Sequence, residues 1–310
     1  MAQCSHGVHV LLTRKTLIAL LISAGFILGV EFLLGWAWLL NPWLALSWQH
    51  LSLAILLTLL TYGLRAWRVY DYYQTRMRGR FLACVRLTLL HNALNNLLPM
   101  RTGELSFPLL MARYFAIPAP DSIGVLLWFR LLDLHTLALF ACIALGGFFW
   151  GALSAGLIAL LWLSLLWPLW RLAPVMSRWL AQRPPSRLQQ ILSQAFHALP
   201  SEAKPFVRAW LLTLLNWLVK LGVFVWVFLL FVSTEMSIAW LAVIGADLSS
   251  ILPVHGIAGM GSFEAGALAV LVPLGVPWDS ALQGAINLHI FVLASALLGA
   301  AIAWWLPGKA

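Results

Sequence analysis

The chain has 310 residues, of which 62% are apolar and 9% charged, and a net charge of +9. Soluble domains carry about 25% charged residues, so this composition excludes a water-soluble globule and calls for lipid around most of the surface. The basic residues sit in short connections between apolar runs rather than on one clustered face, which argues against a nucleic-acid partner. The 18 tryptophans suit a protein with long membrane–water boundaries, where the indole ring is half wet. Cys4, Cys84 and Cys142 are too few and too scattered for a disulfide framework or a zinc site.

In chain order, a membrane span needs about 20 apolar residues. Residues 16–38 supply the first, with Glu31 inside it and Arg14 and Lys15 before it. The run exceeds the roughly 7–15 residues of a signal-peptide core and no small-x-small cleavage site follows, so it is expected to remain as a helix. A short uncharged loop around Asn41 and Pro42 leads to a second span over 48–67, and a basic loop over 65–86 carries Arg65, Arg68, Arg76, Arg78, Arg80 and Arg86. The next element is broken. Residues 81–98 have helical character, 99–103 run from a proline to a glycine, and 104–117 form a short second arm. That arm is roughly 21 Å long as a helix, too short to cross, so a re-entrant hairpin is expected.

Span three covers 121–148 and carries Arg130 and Asp133; span four covers 151–170. A second basic loop, 171–208, holds Arg178, Arg183, Arg187 and Lys204, and its centre, 184–200, reads as a short amphipathic interfacial helix with a proline at each end. Span five, 209–233, contains Asn216 and Lys220; a second broken element follows at 238–275, and a last span at 281–306, before Lys309. The expected fold is therefore an all-α integral membrane domain over 1–310, with six full transmembrane helices and two oppositely oriented re-entrant hairpins. Lys and Arg mark the cytoplasmic side. Their placement puts both termini inside the cell, the first hairpin entering from the cytoplasm and the second from outside.

The two broken elements resemble each other. Asn-Asn-Leu-Leu-Pro at 95–99 parallels Ser-Ser-Ile-Leu-Pro at 249–253, and each is followed by glycine and then glutamate, at Gly103-Glu104 and at Gly261 to Glu264. Repeat-like halves over 48–148 and 209–306, the second inverted, would give the inverted repeats with broken helices that mark many transporters.

The residues that carry this pattern also resemble a known family. Asn-Asn-Leu-Leu-Pro-x-Arg-x-Gly-Glu at 95–104, Arg130-x-x-Asp133, and Gly-x-Gly-x-x-Glu at 259–264 are similar, in order, to motifs of the lysylphosphatidylglycerol synthase transmembrane-region family. That family includes the flippase half of the multiple peptide resistance factor and stand-alone flippase-like proteins. Phe107 and Phe129 stand where the family often has Arg and Glu; these departures bear on the lipid headgroup, not on the fold. The resemblance implies a location in the bacterial inner membrane. The soluble aminoacyl-transferase domain of the bifunctional relatives is not recognised, so no synthase activity is expected.

Ionisable groups inside such segments are functional candidates by default. Arg101 and Glu104 either neutralise each other and lock the first tip, or present the planar fork of Arg101 to a lipid phosphate with Glu104 orienting it. Glu264 follows glycines and opens a short helix. It either caps that helix or serves as a proton-coupling or headgroup-facing carboxylate. Arg130 and Asp133 share a helix face as a structural ion pair. Asp247 and Lys220 are candidates for a second, polar-cavity pair. His255 titrates near neutral pH or is a hydrogen-bonded structural histidine. Asn92, Asn95 and Asn96 either tie the broken helix or touch substrate. Ser262 lacks a nucleophile-elbow context, and the sequence offers no metal-ligand set and no phosphate loop, so no cofactor is expected. The sequence thus points to a flippase-like protein that moves or gates a charged phospholipid or a lipid-linked phosphate between leaflets. The alternative is a non-transporting membrane partner of an envelope-lipid or glycolipid biosynthetic enzyme. A membrane-embedded transferase is a third reading, and the outer loops offer it only Glu235 and Asp279, far apart in sequence.

Overall fold

Long apolar runs with few helix breakers form helices because lipid offers their backbone no other hydrogen-bond partner. The computed structural model describes residues 2–184, 186–249 and 256–308, and their side chains apart from those of residues 2–16, 100, 101, 169, 187 and 188. His255 and the Arg101 side chain therefore lie outside the described residues. Among the described residues there is helix and no strand. Four helical stretches are long and apolar enough to cross a membrane, Trp48–Tyr72, Ala119–Pro168, Ala203–Leu229 and Trp278–Trp305. A bent pair, Leu17–Leu33 with Trp36–Ala45, makes a fifth.

Helix α1 (Ala2–Leu33) stops earlier than its apolar run does. Gly35 adopts φ +80, and the chain turns by 90° into α2 (Trp36–Leu40) and a 3-10 turn, Asn41–Ala45. The turn is closed by Glu31, whose carboxylate accepts the Trp36 N–H at 3.1 Å. The single span expected over 16–38 is thus a helix with a right-angle foot. Helix α3 (Trp48–Tyr72) runs beyond the expected end at 67 and takes in Arg65 and Arg68, so the loop before α4 (Phe81–Leu97) covers 73–80 rather than 65–86.

The first broken element has the expected parts: α4, a 3-10 segment Pro99–Leu105, and α5 (Ser106–Phe115), which ends in a left-handed Ala116. Helix α6 (Ala119–Ser164) is interrupted at Gly151, φ +83. There the chain folds back: Gly146 packs on Ala155, and the Trp162 ring lies 5.6 Å from that of His135, with the indole N–H on the His135 carbonyl at 3.0 Å. Helix α7 (Leu166–Ala181) follows, with Pro174 inside it. Helix α8 (Arg187–His197) is capped by the Ser186 hydroxyl, which accepts the Gln189 N–H at 3.1 Å. Helix α9 (Ala203–Leu229) is the long apolar element before the second break. That break has α10 (Met236–Ser249), a 3-10 turn Ile257–Gly259 and α11 (Ser262–Leu271); α12 (Trp278–Trp305) follows.

The chain divides into two compact units. The first comprises Met1–Leu56, Asn92–Glu104 and Leu221–Gly299. Its helices α10 and α11 meet backbone to backbone: a Cβ on Gly266 would lie 2.5 Å from the Gly245 carbonyl oxygen, and one on Gly245 2.6 Å from that of Gly266. Small residues allow such approach where helices pack in lipid. Asn287 on α12 ties down the foot of α1, donating to the Leu39 carbonyl at 3.0 Å and accepting the Trp43 indole N–H at 2.7 Å.

The second unit comprises Leu57–His91, Leu105–Lys220 and Ala300–Ala310. Its core gathers Val69, Tyr73, Met77, Leu87, Phe107, Met111, Trp128, Phe129, Leu132 and Phe206. Polar ties at its edge fix the connecting segments, with the Tyr72 hydroxyl on the Ala198 carbonyl at 2.7 Å and the Trp170 indole on that of Pro200 at 2.9 Å.

Candidate functional site

The tip of the first break lies in the first unit. Helix α4 ends after Asn95 and Asn96, both half-buried, and the 3-10 segment folds directly onto them. A Cβ on Gly103 would fall onto the Leu94 carbonyl oxygen and the Asn95 backbone, so this fold-back requires glycine. The Thr102 hydroxyl donates to the Pro99 carbonyl at 2.8 Å and closes the turn. Glu104 is half-buried and Asn92 buried. Within the second unit, His91 bonds the Ser106 hydroxyl at 2.8 Å and packs edge-on against Phe107, so the arms of this break join by side chains as well. The Arg101–Glu104 reading falls on a side chain outside the described residues.

The second break, in the same unit as the first tip, is built on Glu264 and His289. Glu264 is 2% exposed and His289 6%. The Glu264 Oε2 accepts the Gly261 N–H at 2.9 Å, closing the first turn of α11 at a glycine with φ +83. Its Oε1 lies 2.6 Å from His289 Nδ1, and His289 Nε2 lies 2.9 Å from the Ala258 carbonyl oxygen. Phe263 stacks on the imidazole with centroids 4.4 Å apart. Glu264 is thus the cap of α11 and at the same time a buried partner of His289. Both ring nitrogens of His289 are engaged, and the Ser262 hydroxyl donates to the Gly259 carbonyl at 3.0 Å, so neither nitrogen addresses that serine.

Ser23 on α1 completes the break. Its hydroxyl accepts the Ile257 N–H at 2.7 Å while donating to the Ala19 carbonyl at 2.8 Å. Ser23→Ala leaves the half-buried Ile257 amide without its acceptor. A loss of about 1–2 kcal/mol is expected, read as a lower melting temperature and faster exchange of the Ile257 amide in the purified protein.

In the second unit, Asp133 on α6 is the centre of a buried cluster. Arg130 pairs with it at 3.3 Å from the preceding turn, and a nearer partner is Arg68, at 2.8 Å from α3. Arg68 also donates to the Thr213 hydroxyl at 2.7 Å and lies 4.4 Å above the Phe129 ring; the Trp217 indole donates to Asp133 at 3.1 Å. Three helices, α3, α6 and α9, are tied together by this one carboxylate. Lys220 sits with its ammonium 4.4 Å over the Trp217 ring, while Asp247 is half-buried on α10 in the other unit.

Sequence reasoning left out Arg68, Thr213, Trp217 and His289 as site residues. Arg68 was assigned to a loop. His289 carried a usable signal, since it is the single ionisable residue between Asp279 and Lys309 in an apolar helix.

No curated protein and no solved structure matches this chain. Its residues 16–300 match the profile of one family, described as the lysylphosphatidylglycerol synthase TM region. With its apolar helices, this makes the protein an integral membrane protein tied to lipid metabolism, and the chain belongs to the lysylphosphatidylglycerol synthase TM region family.

Proposed function

We propose that this protein moves a charged phospholipid, or a lipid-linked phosphate, between the leaflets of the bacterial inner membrane. The observation that carries this reading is the first compact unit itself. It takes the tip of the first break, Asn92–Glu104, without most of its arms, and gathers it with the whole second break. Two interruptions of apolar helices, each bearing a carboxylate, are thereby collected in one body. Irregular backbone at membrane depth is tolerated where it lines a polar cavity or is buried in protein. Ionisable side chains there mark a path for charge. In this reading both breaks are re-entrant hairpins beside six full spans, both termini are cytoplasmic, and the Arg101 guanidinium meets the lipid phosphate as a bidentate donor.

The test uses the purified chain in liposomes containing fluorescent phosphatidylglycerol, with a membrane-impermeant quencher outside. Wild type is expected to expose the inner-leaflet pool. Arg101→Ala is expected to slow this about tenfold or more, the worth of one charge-assisted contact, at unchanged melting temperature. Full-rate movement by Arg101→Ala would remove the phosphate role. An inert wild type that instead raises the activity of a co-reconstituted lipid-biosynthetic enzyme would favour the partner reading.

A further inference from the structure

The hydrogen bonds around His289 fix how many protons the Glu264–His289 pair holds with every bond made. A backbone carbonyl only accepts, so the contact between His289 Nε2 and the Ala258 oxygen, 2.9 Å, requires a proton on Nε2. The Gly261 N–H only donates, so Glu264 Oε2, 2.9 Å away, accepts it most strongly when unprotonated. That leaves the 2.6 Å contact between His289 Nδ1 and Glu264 Oε1, which needs one proton between them, on either atom. With that proton the pair is imidazolium with carboxylate or neutral imidazole with carboxylic acid, and every bond is satisfied in both forms. Without it, a nitrogen lone pair faces a carboxylate oxygen. With a second proton, either two hydrogens meet between Nδ1 and Oε1, or one on Oε2 removes the charge from the oxygen that accepts the Gly261 N–H and weakens that bond. Every change of proton count breaks or weakens a bond that holds α11 to α12 or to its own cap.

We propose that Glu264 and His289 form a one-proton binding site whose loading locks the second break and whose unloading or overloading releases it. The ligand is the proton, which leaves to and returns from water. Its coupling to lipid movement rests on the transport reading above; the site itself does not. The neighbouring elements add few other charges. Glu264 is the ionisable residue of α11, and α12 carries Asp279 at its start besides His289. Helix α10 contributes Asp247, half-buried, and the described side chains of α1 contribute Glu31, already engaged on the Trp36 N–H. The 3-10 turn Ile257–Gly259 contributes none. His255 stands two residues before that turn, outside the described residues.

The test is hydrogen exchange of the full chain in lipid discs, followed over residues 257–272 across pH and corrected for the intrinsic exchange rate. Wild type is expected to show a plateau of protection that falls about tenfold or more on each side, the worth of one charge-assisted bond. Glu264→Gln keeps a neutral link, with its amide donating to Nδ1 and its oxygen accepting from Gly261. It should keep the low-pH fall and lose the high-pH fall. His289→Gln, which shares no titratable proton, should also lose the high-pH fall, so the expectation does not depend on one variant folding. Asp247→Asn and His255→Gln should keep both. A wild-type profile flat across pH, or an unchanged high-pH fall in Glu264→Gln or His289→Gln, overturns the proposal. So does loss of either fall in Asp247→Asn or His255→Gln. A two-sided profile in a protein that moves no lipid in liposomes leaves the proton site standing and removes transport. Lipid movement with a flat profile does the reverse.

Discussion

Asp133→Asn is expected to destabilise the protein by about 3–5 kcal/mol, because it strands a buried guanidinium. Arg68 and Asp133 are each 8% exposed and 2.8 Å apart, and Asp133 also holds the Trp217 indole at 3.1 Å. The amide of asparagine keeps the size of the side chain but not its charge, so the loss measures electrostatics rather than packing. The loss should appear as a sharply lower melting temperature in detergent and a reduced yield from the membrane. Adding Arg68→Met removes the nearest stranded charge, and the double variant should recover part of the stability, since replacing a buried pair by apolar groups is often near neutral while Arg130 and Arg65 still lose their interaction with Asp133. Arg130→Gln should cost far less, because its side chain is 36% exposed and Asp133 keeps its nearer partner Arg68 and the Trp217 indole. Equal losses for Asp133→Asn and Arg130→Gln would show that the cluster is not buried as described.

Gly103→Ala is the second large effect. Its new methyl would overlap the Leu94 carbonyl oxygen and stand within 2.6 Å of the Asn95 amide nitrogen. These are backbone atoms of the last turn of α4, so no rotamer change relieves the overlap; the 3-10 segment must lift away. Overpacking of this kind costs about 1–3 kcal/mol, and here the upper end is expected because the obstacle is main chain. Gly222→Ala on α9 is the control, since nothing lies within 4 Å of its Cβ position. It should leave stability unchanged or raise it slightly through helix propensity. Melting temperatures and protease cleavage within 98–105 compare the two; equal behaviour would contradict the fold-back.

The parts of this fold that follow local rules were legible in the sequence. Pro99 and Gly103 mark the first break, and the short helix expected over 184–200 is α8, Arg187–His197. Glu264 heads α11 three residues after Gly261, as a carboxylate in a first helical turn should. The foot of α1 was not legible. Gly25, Gly29 and Gly35 lie in one apolar run, and the turn comes at Gly35 because Glu31 reaches forward to the Trp36 amide. Partners were the larger omission. Arg68 and Asp133 are 65 residues apart, Glu264 and His289 are 25 apart, and Asn287 meets Leu39 across 248. No periodicity encodes such meetings; they are set by which helices the tertiary packing brings side by side. Arg65 and Arg68 were also misplaced for a physical reason, since a run of arginines resembles a solvated loop until a carboxylate on another helix draws one of them inward.

The glycine contact between α10 and α11 has a mechanical consequence. With Gly245 and Gly266 pressed main chain to main chain, there is no side chain between the arms to compress or rotate, and no room for an acyl tail or a water to wedge in. Parting the arms there means parting main chain from main chain, so the pair is stiff at that level. Gly275, with φ +86, lies beyond α11 where the chain leaves the pair.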